Sequence, residues 1–199
     1  MSATPCSFGV RLWHWINAVA ILCMTGSGWR IYNAAPFFPF SFPAFLTLGD
    51  WLGGALAIHF AMMWLLTGNF LVYLALGGLR HRLLPLRAGE IMRDLRRAFT
   101  FRLQHETGVY NAVQRLLYLL VLLAIALVIA SGLALWKPVQ LHTLSLLMGG
   151  YEVTRRIHFL AMAGITGFLV LHLTLVIIVP RTLISMLTGR VAAHPEATR

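Results

Sequence analysis

The sequence predicts an all-α integral membrane protein, a four-helix bundle with its N- and C-termini in the cytoplasm. Three observations predict it. Hydrophobic residues make up 59% of the chain and charged residues only 11%, against roughly 25% charged in a soluble domain. Mean hydropathy is +0.77, so most of the surface must meet lipid. The few charges also frame four uncharged stretches of membrane-spanning length.

Those stretches lie between Arg11 and Arg30, Asp50 and Arg80, Arg115 and Lys137, and Arg156 and Arg181. A hydrocarbon core of ~30 Å needs about 20 helical residues. The spans are therefore expected at about 11–31, 50–78, 112–136 and 155–180. A fifth uncharged stretch, 31–49, contains Pro36, Pro39 and Pro43. Prolines at that density break a helix, and the freed backbone groups could not face lipid. It is expected to be an aromatic loop at the membrane interface, anchored by Phe37, Phe38, Phe40, Phe42 and Phe45. One domain, 1–189, holds the four spans, and 190–199 form a polar tail. No internal repeat stands out by eye.

Arginine placement sets the expected orientation. The link between the second and third spans carries Arg80, Arg82, Arg87, Arg93, Arg96, Arg97 and Arg102, and the tail adds Arg181, Arg190 and Arg199. The opposite side has Arg30, Lys137, Arg155 and Arg156. The positive-inside rule puts the link and both termini in the cytoplasm of a bacterial inner membrane. The net charge of +10 is thus a topology signal, and nucleic-acid binding is not expected. No basic segment precedes residue 11, so the first span reads as an anchor instead of a cleaved signal. Cys6 and Cys23 fall in the tail and the first span, which argues against a disulfide.

Ionisable groups inside lipid are costly and mark function. Four histidines fall within spans: His14 on the first, His59 on the second, and His158 and His172 on the fourth. His81, His105, His142 and His194 fall in loops or the tail. A single intramembrane histidine is explained by a hydrogen bond to a neighbouring helix. Four at matching depths are not. With alternating helix directions, His14 and His172 lie toward the cytoplasm, and His59 and His158 toward the periplasm. His158 and His172 are 14 residues apart, nearly four turns, so they share a helix face about 21 Å apart.

Two histidines at each level are too few for a structural zinc, which takes four protein ligands. They suit a haem, whose porphyrin supplies the equatorial nitrogens. There is no C-x-x-C-H motif, so the haem would be held non-covalently, as haem b. Gly26, Gly28, Gly53, Gly54, Gly132, Gly164 and Gly167 would let a macrocycle approach, although helix packing alone explains such residues. Arg155 and Arg156 beside His158, and Arg11 before His14, are candidates for haem propionates. Interfacial snorkelling explains them equally well.

The segments RLWHWINAVAI (11–21), GALAIHFAMMWLLTGNFLVYLALGG (54–78), GVYNAVQRLLYLLVLL (108–123) and RRIHFLAMAGITGFLVLH (155–172) resemble the bacterial cytochrome b561 superfamily. The likeness is to its membrane di-haem cytochrome b subunits of thiosulfate-reductase or hydrogenase type. It extends to about Gly189, and the YNAVQRLLY segment is similar to the branch that partners periplasmic molybdopterin oxidoreductases. The resemblance implies two haems b on His14, His59, His158 and His172. It also implies electron exchange between the quinone pool, ubiquinone or menaquinone, and a redox partner outside the membrane.

The chain shows no extramembrane segment large enough for a molybdenum or nickel centre, so a partner is expected to supply substrate chemistry. A homodimer is compatible with this reading. Two other readings stay open. Another branch of the superfamily oxidises superoxide and passes the electron to ubiquinone, and Lys137, Arg155 and Arg156 could steer an anion to the outer face. A haem-free anchor or small transporter with helix-packing histidines is the third.

Overall fold

The structure is a computed structural model that describes residues 7–76, 89, 93 and 112–189. Most of the basic link, with Arg80, Arg82, Arg87, Arg96, Arg97 and Arg102, lies outside the described residues, as do Cys6, His81, His105, Arg190, His194 and Arg199. The described residues are helical apart from turns and loops, and four helices are long and apolar enough to cross a membrane. They form two compact units, one of Cys6–Val72 and the other of Tyr73–Arg199 with Met1–Pro5.

The first unit opens with α1, Phe8–Ala34. The helix starts three residues before Arg11 because Ser7 caps it, its hydroxyl accepting from the Val10 amide at 3.4 Å. It ends at Ala34, ahead of Pro36, which cannot continue a helix. The aromatic loop then folds onto the end of α1. Tyr32, buried, donates to the carbonyls of Phe40 at 3.2 Å and Phe38 at 3.4 Å. Asn33 exchanges two hydrogen bonds with the Phe42 backbone, at 2.8 and 2.9 Å. Phe37, Phe40 and Phe42 pack around the Tyr32 ring, while Phe45 is 84% exposed on a 3-10 turn, Ala44–Leu46. This is the backbone accounting that a proline-rich loop at an interface requires. The loop closes with the Leu48 amide donating to the Gly26 carbonyl at 3.0 Å and the Arg30 guanidinium donating to the Asp50 carbonyl. α2 follows, Leu52–Ala75.

The second unit contains α3, Ala112–Trp136, a short α4, His142–Leu147, α5, Tyr151–Ile178, and α6, Pro180–Thr188. α3 packs along α5. α4 is an element of the loop between α3 and α5 that hydropathy does not show. Gly149 and Gly150, at φ +90° and +88°, make the reversal from α4 into α5. α5 therefore begins four residues before Arg155, with Glu152 in its first turn. It stops at Ile178 because Pro180 lacks an amide hydrogen and pushes Val179 out of the helical region, to ψ 70°.

Few side chains are buried among the described residues. Trp64, Val170 and Ile177 are among many large apolar residues that lie open along the spans. In water such a surface would drive aggregation. Against lipid it needs no covering.

Candidate functional site

The buried polar groups of the spans are the place to look, because lipid offers them no partners. Ser27 on α1 and Ser131 on α3 are both fully buried. The Ser27 hydroxyl donates to the Cys23 carbonyl at 2.6 Å, with the Met24 carbonyl at 3.3 Å. The Ser131 hydroxyl donates to the Leu127 carbonyl at 2.6 Å, with the Val128 carbonyl at 3.3 Å. Each serine oxygen also meets a histidine Nδ1, Ser27 with His59 and Ser131 with His158, both at 3.0 Å.

These contacts select a tautomer. A hydroxyl has one proton, and here it is committed to the i−4 carbonyl. Toward histidine the serine oxygen is therefore the acceptor, and Nδ1 carries the hydrogen. Nε2 keeps its lone pair, which is the form a metal-binding histidine takes when a second group orients its ring.

A glycine follows each serine. A Cβ built on Gly28 would stand 3.5 Å from His59 Cε1, and one on Gly132 would stand 3.1 Å from His158 Cε1. The missing side chains let each imidazole lie against a neighbouring helix backbone. His59 and His158 each stand seven residues past the first residue of their own helix. Sequence reasoning named Gly28 and Gly132 for close approach but missed the serines beside them. The signal was there in the Ser-Gly pairs at 27–28 and 131–132.

The other two histidines sit differently. His14 stacks on Trp15, ring centroids 5.3 Å apart, and His172 stacks on Phe168 at 6.1 Å. All four rings are half-buried. On α1 the Trp13 indole donates to the Asn69 carbonyl of α2 at 3.4 Å, which ties the ends of these helices together beside His14. Arg11 lies 5.8 Å over the Phe8 ring. Arg155 pairs with Glu152, one turn earlier on α5, at 3.2 Å, and Arg156 is exposed. Among the described residues no three of histidine, cysteine, aspartate and glutamate come together as a metal site.

This donor set fits haem b. Imidazoles whose Nε2 carries the lone pair, set against glycines within membrane-spanning helices, would hold a flat macrocycle that brings one-electron chemistry. A multi-pass helical protein of this kind is a membrane cytochrome b of the bacterial cytoplasmic membrane. Residues 6–189 match the family described as Prokaryotic cytochrome b561, and the chain belongs to it. It is also 47% identical, over 90% of its length and 93% of the relative's, to a protein of Azospira oryzae. That relative is named "Putative protein-methionine-sulfoxide reductase subunit YedZ1". No solved structure matches the chain. The protein is thus a membrane haem protein of electron transfer.

Proposed function

We propose that the chain holds two haems b, one between His59 and His158 toward the periplasm and one between His14 and His172 toward the cytoplasm. In this reading it carries electrons between the quinone pool, ubiquinone or menaquinone, and a periplasmic molybdopterin oxidoreductase. The observation that carries it is the matched pair of contacts, Ser27 to His59 and Ser131 to His158. Both prepare Nε2 as a ligand, and each histidine stands seven residues past the start of its helix. The 14-residue step from His158 to His172 along α5 adds a second level about 21 Å away.

Haem b would be held by these four histidines and would supply one-electron chemistry. The protein's share is to hold the rings, exclude water and set the distance between levels. Arg11, Arg155 and Arg156 are the cations nearest the histidines along the chain and are proposed to meet propionates. For Arg155 this requires exchanging Glu152 for a propionate at the exposed end of α5. The positive-inside rule orients both termini inward. The partner assignment is supported by the relative's name as a reductase subunit.

Superoxide oxidation has less support, because the Glu152 carboxylate sits on Arg155 and cuts the positive field at the outer face. The test of the main reading uses the full chain in liposomes. A quinol should reduce its b-type absorption, and an added exported molybdopterin oxidoreductase with its substrate should reoxidise it. Reduction by superoxide but not by any quinol would contradict the proposal.

A further inference from the structure

The chain leaves α5 in a way that makes α6 a separate element. Ile177 and Ile178, 78% and 68% exposed, end the apolar run of the last span. Val179, at φ −122° and ψ 70°, then turns the backbone out of the helical path ahead of Pro180. α6 restarts at Pro180, a residue suited to the first helical position because no amide hydrogen is needed there. It closes at Gly189, in the left-handed region at φ 75°, whose amide donates to the Ser185 carbonyl at 2.9 Å. Nine residues make a rod about 13 Å long. A hydrocarbon core is ~30 Å thick, so α6 cannot be a span.

The sequence of α6, PRTLISMLT, is two-sided. Leu183, Ile184 and Leu187 fall at i, i+1 and i+4, on one side of a helix of ~3.6 residues per turn. All three are exposed, by 38%, 51% and 58%. Ser185 falls on the other side in register.

Continuity and charge together identify what covers the apolar side. α6 starts two residues after Ile178, where a lipid-covered span leaves the hydrocarbon. Arg181 lies within α6 and Arg190 directly after Gly189, and no acidic residue stands between Glu152 and Glu196. A short helix with an apolar side, in a basic stretch that continues a membrane span, matches the boundary between acyl chains and anionic headgroups.

We propose that α6 is an amphipathic helix lying on anionic phospholipid at the membrane face where α5 ends, with Leu183, Ile184 and Leu187 against the acyl chains. It anchors the end of α5 in depth. His172 stands six residues, about 9 Å, before that end.

The test uses the full chain with Cys6→Ala and Cys23→Ala, so that one introduced cysteine carries a nitroxide label. Nanodiscs of phosphatidylcholine, with or without phosphatidylglycerol, supply the lipid. Electron paramagnetic resonance compares relaxation by oxygen, which concentrates in lipid, with relaxation by a water-soluble nickel chelate. Labels at Leu183→Cys and Leu187→Cys should show a higher oxygen-to-nickel ratio than the label at Ser185→Cys. Phosphatidylglycerol should raise the ratio at Leu187→Cys about fivefold, the worth of one basic residue at an anionic surface, and high salt should reverse the gain. A ratio no higher at 183 and 187 than at 185 would overturn the proposal. So would shielding of both labels from oxygen and nickel alike, the mark of a protein partner on this side. Equal ratios with and without phosphatidylglycerol would overturn the anionic-lipid assignment.

Discussion

Ser131 Oγ lies 3.0 Å from Nδ1 of His158, on the neighbouring helix, while donating its own proton to the Leu127 carbonyl at 2.6 Å. Removing that oxygen takes away the hydroxyl that meets Nδ1–H and orients the ring. Ser131→Ala and Ser27→Ala should each weaken the outer haem by 10- to 100-fold, on the order expected when an orienting partner of a metal ligand is lost. The inner haem should be unaffected. Haem titration of the purified variants, followed optically, checks both.

Gly132 and Gly28 should differ in tolerance. A methyl at Gly132 would crowd His158 Cε1 at 3.1 Å, whereas one at Gly28 would meet His59 Cε1 at an ordinary 3.5 Å. Gly132→Ala is expected to lower outer-haem occupancy clearly, and Gly28→Ala only slightly. Haem content per chain after purification reads the difference.

Asn33 holds the aromatic loop through two hydrogen bonds to Phe42, at 2.8 and 2.9 Å. Asn33→Ala should cost about 1–3 kcal/mol by removing those two hydrogen bonds. Proteolytic cleavage between residues 35 and 50 should speed up with the haem spectrum intact. Tyr32→Phe, which removes longer contacts at 3.2 and 3.4 Å, should have a smaller effect.

The spans were legible because charge is excluded from lipid, so Arg11, Asp50, Arg115 and Arg156 fall near helix ends. The ends themselves depend on local groups that hydropathy does not weigh. Ser7 extends α1 to Phe8, Gly149–Gly150 let α5 start at Tyr151, and Pro180 ends it at Ile178. α4 was not legible, because six residues between two spans carry no periodic signal. The histidines announced themselves as titratable groups in apolar helices. Ser27 and Ser131 did not, because a serine in a membrane helix usually satisfies itself on the i−4 carbonyl. Only the contact with histidine separates these two from ordinary packing residues, and that contact joins neighbouring helices of a hairpin.

The most direct test of the two-level arrangement is the haem content and reduced absorption spectrum of four single variants, His14→Ala, His59→Ala, His158→Ala and His172→Ala. The account predicts that the unmodified chain holds two haems b. His14→Ala and His172→Ala should lose the same one, while His59→Ala and His158→Ala lose the other. Loss of the same haem in His14→Ala and His59→Ala would contradict it.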